Sequence, residues 1–361
     1  MTFSIRLRTL ALPLRDPFVI ARSAHGEGRT ITTVLAELRD DADGPDGPVG
    51  LGEGYPDTYY GETPATMAAV IPLLLETLES LAPALRGSLA EARAALAAAE
   101  GAMGAAIGNH GGAKCAVDIA LHDLVGKRQG LPIRELLGIT APIPPTDFTL
   151  GIDEPAVVAE RARRASDFPA LKIKVGGPSD LATLEAVRAV YDGPIRVDAN
   201  TAWTPEGAVA LLPELVRLGV ELIEQPFPAR RLDQLRALQE RSSLPLVADE
   251  SAVFIEDLDA LVGVVDGINV KLAKCGGIGP ARRMLERANA LGFRTFIGCM
   301  EETSIGIAAS AAVAPLAEWL DLDGCLLLAD DPVSGLELAS GKRWQLADRP
   351  GLGVDVRAGT F

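Results

Sequence analysis

Residues 171–177 read LKIKVGG: two lysines, one residue apart, inside a run that otherwise has the composition of a buried strand. Side chains alternate across a strand, so Lys172 and Lys174 share one face while Ile173 and Val175 share the other. The outer face of a strand in an α/β protein lies beneath helices, where two unpartnered ammonium groups are costly. The lysines therefore belong on an inner face, close to carboxylates or a bound anion.

The same theme recurs outward from this stretch. From about residue 147 the chain holds eight short apolar runs between helical stretches: DFTLG, LKIKV, IRVDAN, ELIEQP, LPLVADES, GINVKLAK, FRTFIGCM and EWLDLDG. From Lys174 onward, the residues closing these runs (Asp198, Glu224, Asp249, Lys271, Gly298, Asp321) follow one another at 22 to 27 residues, the length of a strand, a loop and a helix. Strands alternating with helices pair in parallel, and eight units are what a closed (β/α)8-type barrel requires. A doubly wound open sheet is the alternative. The barrel is favoured because nearly every run ends in a polar residue, and a barrel gathers its chemistry at the C-terminal rim from several strands, whereas an open sheet concentrates it at one switch point.

The first hundred residues read differently. FSIRLRTLAL and ITTVLAELRD alternate like strands, residues 64–100 are helical with interruptions near Pro83 and Gly87, and the glycine-rich 101–112 reads as a loop before the helical GAKCAVDIALHDLVGKRQG. The expected organisation is a small α+β domain over 1–125, the barrel over 126–330 and a C-terminal segment over 331–361.

The chain carries 34 lysines and arginines against 49 acids, a formal charge of −15, which repels phosphate backbones and excludes nucleic acid as the partner. No uninterrupted apolar run reaches the roughly 18 residues of a membrane span, and the N-terminus has no secretory signal pattern, so a membrane role is not expected and a cytoplasmic location is. Cys115, Cys275, Cys299 and Cys325 lack CxxC spacing, which points to reduced thiols rather than zinc or disulfides.

Asp198, Glu224 and Asp249 close three successive strands, so in a barrel their carboxylates converge and need a cation. Hard oxygen donors without nearby His or Cys suit Mg²⁺, with Mn²⁺ as the alternative. Lys271 closes the strand four units after the one carrying Lys174, which in an eight-stranded ring is diametrically opposite. Two lysines facing each other across a metal suit a reaction in which one removes a proton and the other returns it on the opposite face: an epimerisation or racemisation. A proton α to a carboxylate leaves a dianionic enediolate, which Mg²⁺ and lysine cations would stabilise.

The set LKIK, VDAN, IEQP, ADES and INVKLAKCGG resembles the enolase superfamily, muconate lactonising subgroup, over nearly the whole chain. The resemblance implies a modified (β/α)7β TIM-type barrel under an α+β capping domain to which the C-terminal segment returns. It puts Asp198, Glu224 and Asp249 on the magnesium positions, Lys174 and Lys271 on the two acid/base positions, and Lys172 on a position supporting the substrate carboxylate and lowering its neighbour's pKa. Within the subgroup, Asp321 and Asp323 of EWLDLDG resemble the motif with which dipeptide epimerases hold a substrate ammonium. PFVIAR resembles a capping loop whose arginine, here Arg22, reaches the substrate side chain; YYGET at 59–63 resembles the second capping loop. Thr149 matches a substrate-contacting threonine, and Cys299 a pocket wall.

Glu301 stands at a variable position of GCMEETSIG, where an acid would oppose a glutamate side chain and favour a neutral or cationic one. His25 falls in the first capping loop, His110 in a loop, and His122 in a helix with a structural role. The expectation is a Mg²⁺-dependent dipeptide epimerase, acting as a homo-oligomer. The alternatives are an N-acylamino acid racemase, o-succinylbenzoate synthase or muconate-type cycloisomerase, and, in another class, a non-catalytic metabolite-binding protein.

Overall fold

The computed structural model describes residues 2–22 and 28–361; Ser23 and His25 of the expected capping loop lie outside the described residues. Strands β1 (Phe3–Pro13), β2 (Thr30–Asp40) and β3 (Gly50–Gly54) form an antiparallel sheet in that order. The sequence of β3, GLGEG, explains how the sheet meets its helix. A Cβ on Gly50, Gly52 or Gly54 would collide with the carbonyls of Ala120, Ala116 and Gly112, all in the helix Gly111–Gln129, so three alternating glycines let that helix lie flush on the strand.

The glycine stretch at 101–112 departs from expectation. Helix Leu89–Ala106 continues through Gly101 and Gly104, and the next helix begins at Gly111, so only a short connection separates them. Two helical glycines cost roughly 1 kcal/mol each relative to alanine. They are carried by the capping box of Ser88 and Glu91 and by the packing of Ala95, Leu96, Ala99 and Met103 into the core. Segment Pro64–Leu85 is long and apolar enough to cross a membrane by length and composition alone, as core helices can be. Its Met67, Ile71, Leu74 and Leu78 are fully buried against the rest of the protein.

The eight apolar runs all form strands: β4 (Phe148–Leu150), β5 (Leu171–Lys174), β6 (Ile195–Asp198), β7 (Val220–Glu224), β8 (Leu246–Ala248), β9 (Gly267–Lys271), β10 (Arg294–Gly298) and β11 (Trp319–Asp321). They are parallel and neighbour one another in chain order, with Lys174 level with Asp198 and Asp198 level with Glu224. The barrel seam between β11 and β4 is closed by Asp147 N donating to Leu320 O (3.0 Å) and Leu322 N donating to Thr146 Oγ1 (2.8 Å).

Carboxylates of the N-terminal region fasten it to the barrel by sitting on the N-termini of barrel helices, where free N–H groups and the helix dipole favour an anion. Asp118 accepts from Ile278 N (2.6 Å), and Glu53 accepts from Thr303 N (2.9 Å) and Gly306 N (2.9 Å). His122, beside them, is buried with Nδ1 2.9 Å from the Asp118 carbonyl. Residue 125 lies inside helix Gly111–Gln129. The C-terminal segment runs back along this helix, where Leu352 N donates to Asp123 Oδ1 (2.7 Å), and Arg6 lies over the Phe361 ring.

Candidate active site

A cavity of about 620 Å³ opens at the C-terminal rim of the barrel, below the segment after β1, the start of β2 and the 55–59 loop. Its walls include Lys174, Lys271, Thr149, Cys299, Glu301, Asp321, Asp323 and Arg22, so eight of the residues singled out in the sequence meet in one place. β5 and β9 are separated by three strands in either direction around the ring, which sets Lys174 and Lys271 on opposite walls.

Beneath the lysines lie Asp198, Glu224 and Asp249, fully buried, with one oxygen of each within 4.8 Å of the others. Four ammonium groups surround them. Lys174 Nζ donates to Asp198 Oδ2 (2.6 Å), Lys271 Nζ to Asp249 Oδ2 (3.0 Å), and Lys274 Nζ to Asp249 Oδ1 (2.5 Å). Lys172 Nζ lies 2.7 Å from Glu224 Oε2 and 3.6 Å from Asp198 Oδ2.

Burial alone would raise all three carboxyls. Lys271 and Lys274 nevertheless hold Asp249 well below its usual range, and Lys174 and Lys172 hold Asp198 below its own. Glu224 is shifted the other way, by burial and by the Asp198 charge, with Lys172 opposing. Among the described residues its Oε2 has no aligned hydrogen bond despite the lysine nearby, and Asn200 Oδ1 is also buried without a partner. Three convergent hard oxygen donors, one of them incompletely satisfied, fit a divalent cation of the Mg²⁺ type.

Lys172 differs from the lysine expected at the substrate. It is wholly buried below the cavity rather than lining it, and donates to Asp321 Oδ2 (2.8 Å). Burial would lower its pKa, but Asp321, Glu224 and Asp198 raise it well above the ordinary lysine value. Thr149 secures the other side of the aspartate pair: its Oγ1 donates to Asp321 Oδ1 (2.7 Å) and its N to Asp323 Oδ2 (2.6 Å). Burial and the adjacent Asp321 push Asp323 well up.

Arg22 reaches the cavity but is already paired, 3.0 Å from Glu250 Oε1 and stacked 4.1 Å over the Tyr59 ring. Glu301 lines the cavity and accepts from Tyr55 OH (2.9 Å). His110 sits 3.9 Å from Glu62 and is absent from the cavity walls.

The sequence reading passed over Lys274, Asn200, Glu250 and Asn269. Lys274 follows β9 in the helical turn Leu272–Cys275 and returns its ammonium to Asp249 Oδ1 and O and to the carbonyls of Asn269 (2.9 Å) and Ala252 (3.1 Å). Asn269, two residues before Lys271 on the same inward face, donates to Glu224 Oε1 (2.8 Å). That alternation was the available signal. Replacing Lys274 with methionine leaves buried acceptors and a carboxylate short of a partner, so the expected loss of unfolding free energy is about 3 kcal/mol. Chemical denaturation measures it; a loss below about 1 kcal/mol would remove Lys274 from the supports of Asp249.

Residues 156–360 match the enolase C-terminal domain-like family, and residues 3–138 match the mandelate racemase / muconate lactonizing enzyme N-terminal domain. The L-Ala-D/L-Glu epimerase of Bacteroides thetaiotaomicron is 43% identical over 67% of this chain and 64% of its own length. Among solved structures, a dipeptide epimerase from Enterococcus faecalis complexed with Mg and L-Leu-L-Tyr is 34% identical, covers 98% of this chain and 100% of its own, and superposes with a TM-score of 0.84. One from Methylococcus capsulatus complexed with Mg and L-Arg-D-Lys is 32% identical, covers 98% of this chain and 99% of its own, and has a TM-score of 0.79. With both halves of the architecture matched and the acid triad under two facing lysines, the chain belongs to the mandelate racemase/muconate lactonizing enzyme family of the enolase superfamily.

Proposed function

We propose that this chain is a Mg²⁺-dependent dipeptide epimerase that inverts the α-carbon of the C-terminal residue by two-base proton transfer. The observation that carries the reading is the pair Lys174 and Lys271, on strands opposite in the ring, opening on one cavity whose rim holds two aspartates. In this reading one lysine takes the α-proton and the other returns a proton on the opposite face, the two exchanging roles with the direction of reaction. Asp198, Glu224 and Asp249 would hold Mg²⁺, which would supply positive charge where negative charge develops on the substrate. Lys172, held by Glu224 and Asp321, adds a fixed positive charge below the reacting centre.

Asp321 and Asp323 are the proposed ammonium subsite, aligned by Thr149. Asparagine at Asp323 is expected to raise KM for dipeptides about tenfold to a hundredfold while leaving N-acylamino acids, which have no ammonium, unaffected. Equal losses on both substrate types would remove Asp323 from the ammonium subsite, while turnover of N-acylamino acids without turnover of dipeptides would favour the N-acylamino acid racemase reading. Glu301 at the wall, with Arg22 already paired with Glu250, supports a neutral or cationic side chain on the epimerised residue over an anionic one. Changing Glu301 to lysine should shift the ratio of kcat/KM for L-Ala-L-Glu over L-Ala-L-Lys upward by about tenfold or more. An unchanged ratio would remove Glu301 from the specificity surface.

The direct test is incubation with Mg²⁺ in D₂O against Ala-X, X-Ala and cationic dipeptides. Deuterium should enter one α-position as optical rotation decays, and absence of exchange across the panel would sink the epimerase reading. A cytoplasmic location and a homo-oligomeric assembly complete the proposal; sedimentation of the purified chain tests the latter.

A further inference from the structure

A second cavity, of about 430 Å³, adjoins the lysine-lined one across β4, the two sharing Phe18, Thr149 and Leu327 as walls. Its origin is topological. β11 is followed by a helix of only four residues, Gly324–Leu327, so among the described residues no full helix covers the outside of the β11/β4 seam. Helix Pro155–Arg164 covers one flank and the hairpin of Glu337–Ala339 with Arg343–Gln345 the other, and a gap remains between them. Thr149 turns its hydroxyl inward to Asp321, so by alternation its neighbour Phe148 faces this outer gap.

The walls have two characters. Phe18, Phe148, Phe168, Leu326, Leu327 and Leu338 provide an apolar floor, with the Phe148 and Phe168 rings 4.9 Å apart. Arg15, Arg161, Arg164 and Lys342 provide a basic edge, interrupted by Asp16 and unexpected in a protein with a formal charge of −15. Three of these cations have carboxylates: Arg161 with Asp153 (2.7 Å), Arg164 with Asp16 (2.7 Å) and Lys342 with Asp167 (2.5 Å). Arg15 donates to the Leu328 carbonyl (2.8 Å) and has no carboxylate within ion-pair distance among the described residues. Arg161 is buried; its Nε lies 3.8 Å from Asp16 Oδ1, beyond hydrogen-bond distance, and its Nε and Nη1 have no hydrogen-bond partner among the described residues, an arrangement that costs free energy unless a ligand or water completes it. Four cations against three carboxylates leave one positive charge.

We propose that this cavity is a second small-molecule site, for a monoanion with an aromatic or branched aliphatic body, of which an aryl-alkyl carboxylate is the simplest form. The apolar floor takes the body, and the arginine edge takes the carboxylate through paired N–H donors. The site requires neither the epimerase reading nor a bound metal, because none of its proposed contacts uses Lys174, Lys271 or the acid triad.

The probe is 3-phenylpropionate, titrated into the full chain and followed by calorimetry and ligand-observed NMR, with 3-phenylpropanamide as its uncharged counterpart. The expected result is saturable binding with a dissociation constant below about 1 mM, and binding of the amide at least tenfold weaker. Leu338→Trp, which fills the gap from the hairpin, and Arg164→Gln, a half-exposed position that should spare the fold, should each weaken the acid tenfold or more. Lys271→Met should leave it unchanged. Absence of saturable binding, equal binding of acid and amide, or loss in Lys271→Met with retention in Leu338→Trp and Arg164→Gln would each overturn the proposal; the last would put the probe in the lysine-lined cavity.

Discussion

Alanine in place of either Lys174 or Lys271 is expected to lower epimerisation by about 1,000-fold or more, the scale of losing a positioned acid/base group. The two variants should fail differently. With Lys174 gone, the remaining lysine can still remove and return a proton on its own face, so deuterium enters the epimer whose α-hydrogen faces Lys271. With Lys271 gone, the opposite epimer exchanges. Each should therefore keep α-exchange of one epimer without inversion, read by proton NMR in D₂O together with polarimetry.

The fold should survive both changes. Asp249 keeps Lys274 after loss of Lys271, and Asp198 keeps Lys172 at 3.6 Å and the Asn200 N–H at 2.9 Å after loss of Lys174. Thermal unfolding is the control. Normal inversion in either variant, or exchange of the same epimer by both, would end the two-base assignment.

Much of this geometry was legible because a barrel turns sequence spacing into angular position. The alternation of LKIK fixed a common inward face for Lys172 and Lys174, and four repeats between Lys174 and Lys271 meant half a turn of the ring. The depth of each group along the barrel was less legible. Lys172 and Lys174 share a face, yet two residues of strand rise put the first beneath the cavity among carboxylates and the second at its wall.

Contacts that depend on a turn after a strand were not legible at all. Lys274 reaches Asp249 because a single helical turn reverses it, and Glu250 meets Arg22 only once the N-terminal region is docked. The helical glycines at 101–106 misled for a related reason: local preference favoured a loop, while the capping box and tertiary packing favoured continuation.

Glutamine at Glu224 is expected to weaken the Mg²⁺ response about 100-fold and to lower epimerisation about 1,000-fold, because Glu224 depends on the cation more than its two partners do. Asp198 has a hydrogen bond from Lys174, and Asp249 has hydrogen bonds from both Lys271 and Lys274. Glu224 has the Asn269 amide and an unaligned Lys172, while burial and Asp198 disfavour its charge. A divalent cation answers that imbalance directly, and glutamine removes the charge while keeping the shape and an oxygen for Asn269.

The unliganded variant should thus unfold close to where the unliganded wild type does, with the difference appearing only when metal is added. At a Mg²⁺ concentration 100 times its dissociation constant the wild type gains about 2.7 kcal/mol. The variant should require roughly 100-fold more Mg²⁺ for the same gain, measured by thermal unfolding across a Mg²⁺ series and by Mn²⁺ binding in electron paramagnetic resonance. An unchanged metal-dependent shift would remove Glu224 from the ligand set. A normal shift with lost turnover would instead make it a group acting on the substrate.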